Sequence, residues 1–263
     1  MNLRTVSVTR YVTPLREGGS LPAIVEADDD GTYVLKFRGA GQGAKALIAE
    51  LVVGEIARVL GLRVPEIVLA DLDIALGRAE PDPEIQDLIR ASEGTNLALD
   101  YLPGSISFDP LSPQTVKANA ALASSVVWLD ALCTNVDRTP RNTNMLLWNR
   151  ELWLIDHGAA MYFHHGWNCE YSQISKNPFP LVSEHVLLPF ASALKEADAA
   201  LAPQLTREIL SEIVSLIPDS WLGDTEETPD ASAHRAAYVN YFLQRLEAPR
   251  AFAQEAMNAH RFL

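Results

Sequence analysis

Acids and amides are spaced for chemistry in Asn135-Val136-Asp137-Arg138-Thr139-Pro140-Arg141-Asn142, which is followed by a short apolar stretch and then by Leu154-Ile155-Asp156-His157-Gly158. An acid, an amide five positions later and a second acid after the next hairpin is a spacing that phosphoryl transfer uses. The reason is geometric. An attacking hydroxyl needs a carboxylate to orient it and take its proton, while Mg²⁺ on nucleotide phosphates needs hard oxygen ligands on the opposite wall of the same cleft. A loop that begins with the acid and ends with the amide can face both. Polar loop residues of these types also cap turns, and Asp137 and Asn142 taken alone would be read that way. Asp156 weighs against the turn reading, because it follows Leu154-Ile155 at a strand end where the strand pattern gives no reason for a charge.

Phosphoryl transfer by a kinase makes a separate demand: a lysine on an early strand and a glutamate on the helix after it. Lys36 lies in the otherwise apolar run Tyr33-Val34-Leu35-Lys36-Phe37, where an unpaired buried ammonium would be costly. It therefore calls for a carboxylate or a phosphate. Of the two glutamates on the next helix, Glu55 has Arg58 within one turn to satisfy it, whereas Glu50 has only Ala46, Leu47, Val53 and Gly54 at those offsets. Glu50 is the expected partner of Lys36. The bland alternative is a lysine that reaches out to solvent and an exposed glutamate.

The elements that must position these groups are legible as patterns. Thr5 to Thr13, Leu21 to Ala27 and Thr32 to Phe37 alternate weakly around Gly18-Gly19-Ser20 and Asp28-Asp29-Asp30-Gly31, which predicts a three-stranded antiparallel meander. Ala44 to Leu60 reads as a helix stopped by Gly61, Glu66 to Asp73 as a strand, Pro83 to Ser92 as a short helix and Asn96 to Leu102 as another strand. Beyond Pro110 the pattern turns helical: Ser112 to Cys133 is a long run rich in Ala, Val and Leu, and from Pro189 onward the chain is mostly helix around an acidic loop, Asp219 to Asp230. Met145 to Trp148 and Leu152 to Ile155 form a hairpin across Asn149-Arg150. The expected boundary lies between Leu102 and Asp109, dividing the chain into 1–102 and 103–263.

In order and spacing Lys36, the Glu50 helix ending in Leu60-Gly61-Leu62 with Val64-Pro65 beyond, the Asp137 to Asn142 loop and Asp156-His157-Gly158 resemble the HipA-like kinases. The resemblance runs from about Gly18 to Gly158. It implies an α+β, protein-kinase-like fold: a small antiparallel-sheet lobe that binds ATP, followed by a mainly helical lobe. It also implies Lys36 on the α- and β-phosphates, Glu50 holding Lys36, Asp137 as catalytic base, and Asn142 and Asp156 on Mg²⁺. Adenine would lie against the backbone of Asp100, Tyr101 and Leu102, and Gly18, Gly19 and Ser20 would cover the phosphates, since glycine lets amides approach closely. The sequence departs from protein kinases in having Asn135-Val136 before the acid in place of His-Arg, which removes the usual docking point for a phosphorylated activation loop. It also has Thr139 where many HipA-like and lipid kinases have histidine. The family's substrate is not carried over by the resemblance; the expected acceptor is a hydroxyl of a protein serine or threonine, with a small-molecule alcohol left open.

Composition narrows the partners. The chain has 263 residues, 48% of them hydrophobic, which excludes a disordered protein. Thirty-four acidic residues against 21 basic ones give a formal charge of −13, which opposes nucleic acids and anionic membranes. No secretory signal or membrane span is expected, since Asp130 and Asp156 break the two most apolar regions, and the chain reads as cytoplasmic. Cys133 and Cys169 match no zinc spacing and read as reduced thiols. Gly39-Ala40-Gly41-Gln42-Gly43-Ala44 fits a dinucleotide-binding turn, but Lys36 and Arg38 are out of place on the first strand of such a fold and hairpin-linked strands argue against a parallel sheet. A catalytically silent kinase-like binding module is a further alternative. His164-His165 with Cys169 lacks a second ligand cluster and reads as a mobile loop; Trp148 and Trp153 read as core, and Arg138 and Arg141 as phosphate ligands or solvated loop residues.

Overall fold

The computed structural model describes residues 1–15, 21–41, 43–111, 119–166, 171–223 and 230–263. Strands β1 (Thr5–Pro14), β2 (Ala23–Ala27), β3 (Thr32–Lys36), β4 (Ile67–Leu72) and β5 (Gly94–Asp100) close into a barrel in the order β1-β2-β3-β5-β4. The neighbours pair antiparallel except β1 and β4, which are parallel. The expected three-stranded meander is thus part of a five-stranded closed sheet. Hairpins announce themselves through turn residues, whereas the insertion of β5 between β3 and β4 is a long-range pairing with no local signal. That insertion also removes the dinucleotide reading: β5 is antiparallel to both neighbours, so the strand before the glycine turn does not pair in parallel with the strand after it. Gly41 and Gly43 have φ of +50° and +67°, and serve to turn β3 into the following helix.

Period-two alternation decides which side chains enter the barrel. Tyr33, Leu35 and Phe37 pack inside with Val25, Val68, Ala70 and Ala98, which leaves Val34 and Lys36 on the outer face of β3. The first helix, α1 (Ala44–Val59), is buried continuously from Leu47 to Ala57 and belongs to a second, larger core. It stops as expected at Gly61, whose φ of +77° lets Leu62 N–H reach the Ala57 carbonyl at 2.9 Å and close the helix end. The short helix α2 (Pro83–Ala91) seals the barrel with Ile85 and Ile89.

The larger core is built around α3 (Ala120–Cys133), capped by the Asn119 side chain at one end and closed at the other by Thr134 in the left-handed region. The expected start of this helix at Ser112 lies outside the described residues, as do Gly18, Gly19, Ser20 and Cys169. Packed with it are the single turn α4 (Tyr171–Ile174) and helices α5 (Leu194–Leu201), α6 (Arg207–Ser215), α7 (Ala231–Leu246) and α8 (Ala251–Arg261). A small antiparallel sheet is formed by β6 (Ile106–Ser107), which precedes α3, and by β7 (Met145–Trp148) and β8 (Glu151–Leu154), which follow it. Its hairpin places both Asn149 and Arg150 at positive φ, the turn geometry that suits strand twist, although Arg150 is an unfavourable residue there.

One expectation is corrected. Trp148 and Trp153 are half-buried and meet edge to face at 5.3 Å, so they cover the hairpin rather than fill the core. The start of the acidic loop is ordered: Trp221 is buried and Asp219 pairs with Arg235. Among the described residues no helix is long and apolar enough to cross a membrane.

Candidate active site

The outward face of β3 delivers Lys36 to a point where α1 and the segment after β8 converge. Its Nζ lies 2.6 Å from Asp156 Oδ1 and 3.7 Å from Glu50 Oε2. Three residues separated by up to 120 positions therefore meet at one ammonium. Burial works against the charge on Lys36, but Glu50 and Asp156 outweigh it and raise its pKa. Asp156 is opposed by burial too, and the lysine beside it holds its carboxyl below the usual carboxylate range. Glu50 behaves differently: burial, with the nearby charge of Asp156 added to it, raises its pKa against the opposing pull of Lys36 and the His157 amide. Asp156 has φ of +55°, a conformation that Asp tolerates better than most residues and that turns the chain out of β8.

Asp137 stands at the start of the polar loop after α3, half-buried. Asn142 Nδ2 donates to its Oδ2 at 2.7 Å, and Asn144 Nδ2 donates to the same oxygen at 3.2 Å. The loop is closed on itself by Thr139 N–H donating to the Asn142 carbonyl and Asn142 N–H donating to the Thr139 carbonyl. A fully buried polar network anchors it from below. Asp130 accepts from Asn135 Nδ2 at 3.0 Å and from Arg138 Nε at 2.6 Å, and lies 2.9 Å from His185 Nε2. Although burial opposes the charge on Asp130, Arg138 and His185 hold its pKa far below the usual range. Arg138 also donates to the Asn144 carbonyl and, at 3.1 Å, meets His157 Nδ1. Burial and the neighbouring guanidinium push the His157 pKa down to about 3, so the ring is neutral and Nδ1 accepts.

This corrects two expectations. Arg138 is neither solvated nor a phosphate ligand; it is 1% exposed and engaged on three sides. His164, read as part of a mobile loop, is buried with Nδ1 3.1 Å from the Tyr238 hydroxyl. Arg141 is exposed at the loop surface.

A cleft of about 310 Å³ joins these groups. Lys36, Asn142, Asn144 and Asp156 form its polar end, and Leu15, Pro22, Val34, Leu99, Leu146 and Ile155 its apolar walls. Asp100, Tyr101 and Leu102 line it at the junction after β5. Glu50 sits behind Lys36 rather than in the cleft, and Asp137 is reached through Asn142 and Asn144. Asn142 keeps its Oδ1 free of the bond to Asp137, and Asp156 keeps its Oδ2 free of the bond to Lys36. One amide and one carboxylate oxygen suit a hard cation that takes its remaining ligands from a polyphosphate and water. Among the described residues no group of three or more His, Cys, Asp and Glu is arranged to hold an ion alone.

Sequence reasoning missed Asn144 and the Asp130 network. A signal for the second was present: Asp130 is an acid inside an otherwise apolar helical run, and such a charge needs a buried cation. Asn144 had only its position, two residues past Asn142 and just before a strand.

Comparison with known proteins gives the family and the fold. The sequence model of one family, described as HipA-like kinase, matches residues 8–255. Among solved structures, the proinflammatory kinase CtkA of Helicobacter pylori aligns with a TM-score of 0.56 at 13% identity, over 98% of this chain and 99% of its own. A Golgi casein kinase with Mn/ADP bound aligns at 0.46, with 13% identity over 95% of this chain and 74% of that one. HipA of Shewanella oneidensis MR-1, solved with HipB and its operator DNA, aligns at 0.41, with 13% identity over 94% and 67%. The first of these carries the conclusion that the fold is kinase-like. A search of curated proteins finds no match.

Proposed function

This chain belongs to the HipA-like kinase family, and we propose that it moves the γ-phosphate of ATP, with Mg²⁺, to the hydroxyl of a protein serine or threonine. In this reading residues 1–102 form a nucleotide-binding lobe and 103–263 a catalytic lobe. The observation that carries it is the shared cleft: an ammonium, an amide and a carboxylate converge at one end of an apolar slot, with a second carboxylate one hydrogen bond away.

Adenine fits between the aliphatic side chains of Val34, Leu99, Leu146 and Ile155, with the backbone of Asp100 to Leu102 offering its polar edge. Lys36 neutralises phosphate oxygens, and Glu50 keeps the ammonium in place when Asp156 turns to the cation. Asn142 Oδ1 and Asp156 would hold Mg²⁺, which when bound supplies positive charge to the bridging phosphate oxygens. Asp137 orients the acceptor hydroxyl and takes its proton at Oδ1, the oxygen that no described residue bonds. A polypeptide acceptor is supported by the setting of the base: Val136, Arg141 and Asn142 around it are exposed, so Asp137 faces an open surface rather than a closed pocket.

The test is transfer of labelled γ-phosphate from ATP to a protein mixture, with and without Mg²⁺. Replacing Asp137 with Ala should lower transfer by about a hundredfold or more, the usual worth of a positioned base, with the melting temperature little changed. Full transfer by that variant would refute the assigned base, and stabilisation by NAD without stabilisation by ATP would return the dinucleotide reading.

A further inference from the structure

Asn144 bonds groups on both sides of the site. Its side-chain amide bonds Asp137, its backbone carbonyl accepts from both Arg138 and the Ile155 amide, and Ile155 immediately precedes Asp156. Its φ is +47°, a conformation open to Gly and Asn but costly for most residues. Arg138 in turn is fixed to Asp130 and to His157. The carbonyl of Asn144 is therefore pinned to the buried network on one side and to the metal-side strand exit on the other.

We propose that Asn144 is the dedicated positioning residue for the base: anchored through Arg138, its amide locks one oxygen of Asp137 and so presents the other to the acceptor. This rests on the reading of Asp137 as base. A carboxylate turns readily about its last torsion, which is broad and roughly two-fold. Two amide donors on Oδ2 remove that freedom and leave Oδ1 without a donor among the described residues. Asn142 has a second task at the cation, whereas the side chain of Asn144 makes its one hydrogen bond among the described residues to Asp137.

The variant Asn144→Gly removes the amide and keeps a residue at ease at positive φ, so backbone strain is not added. Steady-state transfer to a protein acceptor should show kcat lowered about tenfold or more, the worth of a hydrogen bond to a charged group, with KM for ATP within about twofold and unchanged melting. A residue with only a structural part would lower the melting temperature and move both constants. Asn144→Asp, close in shape and also tolerant of this backbone, serves if the glycine variant does not fold. It should lower kcat further by setting a second carboxylate beside the first. Unchanged kcat in a folded variant, while Asp137→Ala is inactive, would overturn this proposal alone. A raised KM for ATP with kcat unchanged would overturn it in favour of a nucleotide contact. Activity in Asp137→Ala would remove the base and this proposal together.

Discussion

Two ion clusters, one beneath the polar loop and one at the cleft, each hold a fully buried carboxylate and differ in how completely it is bonded. Asp130 has a partner on each oxygen, and Arg138 uses Nε and both terminal nitrogens. Glu50 is as buried as Asp130, yet among the described residues neither of its oxygens has a donor in full hydrogen-bond geometry, and the short contact of Lys36 is with Asp156, whose side chain is 40% exposed. Burying a charge costs the same in either place; compensation differs. The first cluster is complete in itself and fixes the loop. The second leaves charge for a ligand to meet. For these two equally buried carboxylates, bonding completeness rather than burial separates scaffold from site.

The largest expected effect comes from breaking the complete cluster. Asp130→Asn keeps the shape and leaves the Arg138 guanidinium buried without its counter-charge, which should cost about 3–5 kcal/mol in denaturant unfolding. That is a large part of the whole stability of a typical domain. A loss under about 1 kcal/mol would mean that the network is ornamental, and the contrast with the cleft would fall.

Acidification probes the same cluster from the other side. A carboxyl whose pKa is lowered in the folded state contributes stability that is fully present above its unfolded value and is lost as pH falls through the folded one. Asp130 is lowered, so the stability gap between the parent chain and Asp130→Asn should be widest above about pH 5 and should narrow steadily below about pH 4. Parallel unfolding curves in urea at pH 7, 4 and 3 would measure it. A gap that stays constant over this range would show that the Asp130 charge is not what Arg138 requires.

Legibility followed the same divide. Lys36, Glu50 and Asp156 stood out in the sequence because each is a charged residue in a place where local pattern gives it no work, such as an ammonium in an apolar strand, and Asp137 and Asn142 followed from their spacing to Asp156. The strands and α1 were legible through alternation and through the Gly61 stop. What stayed hidden was set by distant residues. The β3-β5-β4 order joins strands about 60 positions apart, and the burial of Arg138 depends on α3 and on His185, far along the chain. An arginine in a polar loop has the same sequence signature whether it faces solvent or a buried aspartate. Likewise the amide of Asn144 gains its meaning from the oxygen it shares with Asn142, a geometric fact that spacing does not encode.

The smallest expected change in stability should come from the incomplete cluster, and it is the sharpest test of the contrast. Because burial raises the Glu50 pKa, the protonated form stabilises the fold below the unfolded value, and that contribution is lost as pH rises through the folded one. At neutral pH the charged form is thus a cost to the fold, partly offset by Lys36. Glu50→Gln removes the charge while keeping the shape, and Lys36 retains Asp156 at 2.6 Å. Stability in urea at pH 7 should therefore change by less than about 1 kcal/mol, in the stabilising direction if in either. If Asp156 holds the cation as proposed, phosphate transfer should still fall, because the ammonium would lose its other carboxylate. If instead Glu50→Gln loses as much stability as Asp130→Asn, the two clusters are alike, and the unmet hydrogen bonds of Glu50 do not mark a binding site.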